Sequence, residues 1–192
     1  MTTQSLELLF PNETFDNLLS EHLEAIHKFL EESPTDSYVP EIIVFELDGK
    51  KHKIKVTLSD ETKYETMRQV GKLCCLKGLK PVAAIMAFEA WTIEKALDSV
   101  RSSRPISEYA DKKEMLCIVG MAFDGRGCGA MVLFDRGQDD NSIILNGKSI
   151  TFPCNNHGEE ASIKSDLLRQ FFYGYAHQAM AFYAQDESGK KN

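Results

Sequence analysis

Three acids, Glu89, Asp111 and Glu114, come closest in this chain to a set of side chains that could do chemistry. They flank a long polar insert at 92–113, which carries Arg101, Arg104, Ser107, Lys112 and Lys113. If the apolar runs on either side are adjacent antiparallel strands, Glu89–Trp91 and Asp111–Glu114 emerge at the same sheet edge. Carboxylates so placed can hold a divalent cation while a lysine steadies developing negative charge, as metal-assisted phosphodiester cleavage requires. One expectation is therefore a metal-dependent hydrolase or nuclease using Glu89, Asp111 and Glu114. The spacing also departs from that pattern, because no Glu-x-Lys stands on the second strand. A solvated loop whose acids pair with its own bases accounts for the same residues.

Other candidate constellations are weaker. Cys154 and His157 supply half a zinc site, and structural zinc takes four ligands in spaced pairs. Gly125-Arg-Gly-Cys-Gly129 looks like a phosphate loop, yet it leads into the strand-like Ala130-Met-Val-Leu-Phe134 and not into a helix N-terminus. A hairpin turn or bulge is the better reading. His22, His27, His52 and His177 form no metal-hydrolase arrangement, and there is no nucleophile elbow or Walker loop. No metal site and no cofactor is expected from the sequence.

The insert must be positioned by the elements around it. Val82 to Trp91 and Glu114 to Phe123 read as strands, and a loop as long as 92–113 is functional or disordered more often than incidental. Upstream, residues 14–32 carry Phe15, Leu18, Leu19, Leu23, Ile26 and Leu30 at helical spacing, and 33–40 reads as a linker. Ile42–Leu47, Asp48-Gly49 and Lys50–Leu58 predict a hairpin with a two-residue turn, which sets Glu46 opposite Lys51. Ile54, Val56 and Leu58 then face inward, and Lys53 and Lys55 outward. Ser59 caps a second helix, with Asp60 and Glu61 in its first turn and Gly78 ending it. Tyr64, Met67, Val70 and Cys74 form its expected buried stripe. Asn146-Gly147 suggests a second short hairpin between Ser142–Leu145 and Lys148–Phe152. The final helix, Ile163 to about Gln185, holds Phe171, Phe172, Tyr173, Tyr175, Phe182 and Tyr183 on more than one face, and 186–192 reads as a frayed tail.

The chain has 192 residues and a net charge of −7, spread along its length. That balance argues against a generic nucleic-acid surface, which needs a basic stripe. No apolar run is long enough to cross a bilayer, and the N-terminus lacks a secretory signal pattern. Five cysteines without paired spacing fit reduced thiols in a cytoplasmic protein.

Glu89-Ala-Trp91, the insert with Arg104-Pro-Ile-Ser107, and Asp111-Lys-Lys-Glu114 opening a strand together resemble a group of small bacterial and phage proteins of unassigned function. In that group an Asp-Arg-x-Glu begins the second strand, where this chain has Lys112. The resemblance spans residues 60–123. It implies a bacterial, phage or plasmid origin and a role outside central metabolism, but no activity.

The combined expectation is a single α+β domain over 1–192. Five to seven mainly antiparallel strands would be packed by an N-terminal amphipathic helix, a central helix and an aromatic C-terminal helix. The leading functional expectation is a non-enzymatic binding or regulatory module. It would contact a protein partner through Trp91, Arg101, Arg104 and Lys113 and through exposed aromatics, with a homo-oligomer forming by way of the C-terminal helix. The metal-dependent hydrolase is the alternative, and a small-molecule pocket between sheet and final helix is a third.

Overall fold

The computed structural model describes residues 12–33, 37–93, 112–136, 143–152 and 166–189. Among these residues three helices and six strands run in the order α1 (Asn12–Glu32), β1 (Glu41–Glu46), β2 (Lys51–Lys55), α2 (Lys63–Leu76), β3 (Pro81–Ile93), β4 (Lys112–Ala122), β5 (Gly127–Arg136), β6 (Ile143–Phe152) and α3 (Asp166–Gly189). All six strands form one sheet in the order β2-β1-β3-β4-β5-β6, and every neighbouring pair is antiparallel. The expected α+β class and the strands on either side of the insert are what the fold contains.

Alternation along the strands produces two cores. On one face Ile43, Phe45, Ala83, Ile85, Ala87, Leu116, Ile118 and Val132 pack under Phe15, Leu18, Leu19, Ile26 and Leu30 of α1. On the other, Ile42, Val44, Ala84, Met86, Val119 and Met121 pack under Met67 and Cys74 of α2 and Leu168, Phe171 and Phe172 of α3. The central strands therefore read as continuous apolar runs because both of their faces are covered. Gly120 makes room on the α1 side. A Cβ there would lie 2.7 Å from Cys128 Sγ and 3.1 Å from the Phe15 ring.

The helices α2 and α3 cross at two glycines. A Cβ built on Gly71 would run into the Phe171 carbonyl oxygen, and one built on Gly174 into that of Arg68. The backbones therefore touch at the crossing, an approach only glycine permits. Beside it Arg68 lies over the Tyr173 ring at 5.5 Å. At the end of α2, Gly78 adopts φ +76°, its N–H donates to Cys75 O (2.9 Å), and Leu79 N–H donates to Cys74 O (3.0 Å). This is the Schellman arrangement that Gly78 led one to expect.

Several local expectations need correction. The β1–β2 connection holds three residues, not two. Glu46 N–H donates to Lys50 O (2.9 Å), Gly49 N–H donates to Glu46 O (3.0 Å), and Gly49 takes φ +83°. The added residue shifts the register, so Lys51 faces Phe45 and not Glu46. Glu46 instead accepts from His52 Nε2 (2.8 Å) and from the Lys80 N–H (2.7 Å), joining the β1–β2 hairpin to the α2–β3 turn. Ser59 opens a turn, its carbonyl accepting from Lys63 N–H (2.9 Å), so α2 begins at Lys63 and Asp60 and Glu61 precede it. Tyr64 is exposed, and Gly71 takes its place in the buried stripe of α2.

Asn146-Gly147 makes no hairpin, because β6 is one strand from Ile143 to Phe152. The pairing with β5 shifts there: Val132 faces Ser149 and Phe134 faces Leu145, which leaves 146–148 opposite a single residue. The turn-prone dipeptide is absorbed as a bulge because the unbroken β5 offers ladder bonds on both sides of it. Residues 186–189 of the expected tail are the last turn of α3, while 190–192 lie outside the described residues.

The hydrogen bonds to Glu46, from Lys80 first and His52 second, hold its carboxyl below the ordinary value of 4.5. A depressed folded value contributes stability that is present above 4.5 and is lost as pH falls through the folded value. Glu46→Gln is therefore expected to melt below the wild type at neutral pH. Thermal melts of both proteins across an acid titration should show that gap closing as the solution becomes more acidic than 4.5.

Candidate functional site

The β3–β4 ladder brings the two ends of the insert together. Trp91 pairs with Glu114, Thr92 with Lys113 and Glu89 with Leu116. Glu89 and Glu114 consequently share a sheet face on adjacent strands, two pairs apart, while Lys113 belongs to the opposite face. Both acids are partly buried. Asp111, Arg101 and Arg104 lie outside the described residues, as do the Trp91 side chain, Cys154 and His157.

Glu89 has a structural task. Its Oε1 accepts the Tyr38 N–H at 2.7 Å and so ties the stretch after α1 to the end of β3. The Tyr38 ring meets Phe29 edge-on at 5.2 Å. Burial, and secondarily Glu41, pushes the Tyr38 phenol up to about 12. Among the described residues no group of three or more His, Cys, Asp or Glu side chains is placed to hold a metal ion. What the arrangement does with Glu89 is hold a segment in place.

The glycine run Gly125–Gly129 spans the end of the β4–β5 turn and the first residues of β5. Gly125 takes φ +92°, and Ala122 N–H donates to Arg126 O at 2.8 Å. Asp124 accepts from Arg126 Nε (2.8 Å) and from the Arg126 N–H (3.1 Å), and the paired side chains are only 4% and 7% exposed. A buried ion pair in a hairpin turn was not visible as such in the sequence, although a turn flanked by Asp and Arg was.

Two thiols, Cys74 and Cys117, are unreactive by placement. Burial pushes Cys74 up to about 11 and Cys117 up to about 12. Thiols with raised values stay protonated at neutral pH, and the thiolate is the reactive form. Peptide mapping after brief iodoacetamide treatment should find Cys74 and Cys117 unmodified in the native protein and labelled once it is denatured.

The surface that stands out is α3. From Gln170 to Gln185 it carries no Lys, Arg, Asp or Glu. Leu168, Phe171 and Phe172 are buried, yet Tyr173, Met180, Phe182 and Tyr183 are exposed, Met180 at 63% and Tyr183 at 76%. Phe182 lies on the same helical line as Leu168, Phe171 and Tyr175, yet it is exposed where they are buried or half-buried. Residues 182–185 are all exposed. A surface helix normally sets charges opposite its apolar stripe, and α3 does not. Among the described residues no helix is long and apolar enough to cross a membrane.

The fold is thus an antiparallel sheet with one helix on one face and a glycine-crossed helix pair on the other. Compared with protein-family models, curated proteins and solved structures, the chain shows no significant match.

Proposed function

We propose that this protein is a non-enzymatic binding module of bacterial, phage or plasmid origin, whose contact surfaces are the outer face of α3 and the 92–113 insert. The observation that carries the reading is the uncharged, aromatic length of α3 with Tyr173, Met180, Phe182 and Tyr183 exposed on it. Interface cores are depleted in charge and enriched in Tyr, Phe and Met, the composition α3 shows. A second copy of the chain offers such a face an equally uncharged partner, so no unpaired charge is buried on contact. Two chains of −7 repel at long range, so salt strengthens this association by screening them.

Sedimentation equilibrium over a salt series tests the reading. The wild type should show a dimer whose population rises with ionic strength, and Met180→Glu combined with Tyr183→Glu should leave a folded monomer. A wild type that stays monomeric at high concentration and high salt would remove the self-association. The hydrolase reading has no comparable support, since the one acid of its trio whose contacts are clear, Glu89, is engaged in holding Tyr38.

A further inference from the structure

We infer that the free edge of β2 is a docking site for an acidic, extended peptide segment that adds to the sheet as a further strand. Among the described residues β2 is the terminal strand of the sheet. Glu46 N–H donates to Lys50 O and Val56 N–H donates to Pro40 O, so the even-numbered residues of this strand bond to β1. Antiparallel ladders alternate, and the main-chain groups of Lys51, Lys53 and Lys55 therefore point away from β1, toward the open edge. The same three residues put exposed lysine side chains on one face, opposite Phe45, Ile43 and Glu41. Unused backbone groups and positive charge thus coincide at every second residue.

The lysines are only lightly committed. Lys53 Nζ, itself exposed, lies 3.5 Å from the half-buried Glu41 carboxylate, and Lys51 sits 5.7 Å above the Phe45 ring. Next to Lys55 an open cleft of about 550 Å³ is lined by Phe29, Ser37, Tyr38, Val39 and Glu41. Val39 is 56% exposed at its rim. In a chain of net charge −7 this row is a positive island beside a recess of mixed lining, whose apolar part is Phe29, Val39 and the Tyr38 ring. Strand addition takes affinity from main-chain bonds and specificity from alternate side chains. Here the alternate positions call for Glu or Asp, and the recess for one bulky apolar residue. A second copy cannot be the occupant, because pairing β2 with β2 would set lysines against lysines.

The usual role of edge lysines is to prevent pairing, so the test must separate protection from reception. The probe is a fluorescein-labelled decapeptide alternating glutamate and threonine and carrying one phenylalanine, titrated into the full chain and followed by anisotropy. Binding is expected, with protection of the Lys51, Lys53 and Lys55 amides in hydrogen exchange. Lys53→Glu with Lys55→Glu should weaken it about tenfold, and N-methylation of alternate peptide amides should do so by a similar factor. The methylated peptide leaves the protein untouched, so its result stands whatever the variant does to folding. Equal affinity for the methylated peptide, equal affinity for a labelled oligothymidylate, or no binding of the probe would each overturn the inference.

Discussion

Replacing Gly174 by alanine is expected to destabilise the protein by roughly 4 kcal/mol, at the upper end of what overpacking costs. Helix propensity alone gives the opposite sign, since alanine in a helix interior is favoured over glycine by about 1 kcal/mol. The packing effect wins because the new Cβ meets the backbone carbonyl of Arg68, which cannot rotate aside as a side chain would. Gly71→Ala meets the Phe171 carbonyl in the same way from the other helix. Either substitution must part α2 and α3, uncovering Phe171 and Met67 in the core they share. Urea denaturation of both variants reads the effect directly. A midpoint at or above that of the wild type would mean that the helices do not touch at these glycines.

The second large effect is expected at the β4–β5 turn. Asp124→Ala removes the carboxylate that accepts from the Arg126 guanidinium, whose side chain is 7% exposed. Removing one partner of a buried pair costs about 3–5 kcal/mol, mostly from the charge left behind. For a chain of this size that lowers Tm by about 10 °C. Asp124→Asn combined with Arg126→Met should recover much of the loss, because the buried guanidinium is removed along with its carboxylate. Calorimetry on the single and double variants decides the matter. A double variant no more stable than Asp124→Ala would show that the pair contributes through its own attraction and not merely by compensating burial.

Much of this framework was legible in the residues because its signals are local. Pro81–Ala87 and Met115–Ala122 are apolar on both faces and too short for buried helices, and Gly78 can end a helix only at its C-terminus. The failures share a cause, which is that the deciding partner lies far away in the chain. Asn146-Gly147 is a hairpin signal until a continuous β5 is laid beside it. Gly71 and Gly174 look like weak points of two helices until the helices are crossed. Asp186–Gly189 has the composition of a tail, yet extends a helix already nucleated by its packed first half.

The candidate site divided in the same way. The pairing of Trp91 with Glu114 followed from two adjacent antiparallel strands, which the sequence suggested. The engagement of Glu89 with Tyr38 joins positions on separate elements, and no spacing rule reports it. The exposed aromatics of α3 were visible as an excess over what one core contact needs. The lysines of β2 were visible as an outward row, but the direction of their main-chain groups required the register of the hairpin.

The central claim, that α3 is a contact surface, is tested most directly by placing a photo-crosslinking benzoylphenylalanine at position 180 and, as a control, at position 31 on α1. Irradiation in the cell should give one discrete adduct from position 180, of twice the chain's mass for self-association, and none from position 31. No adduct from position 180, or the same diffuse products from both positions, would contradict the account.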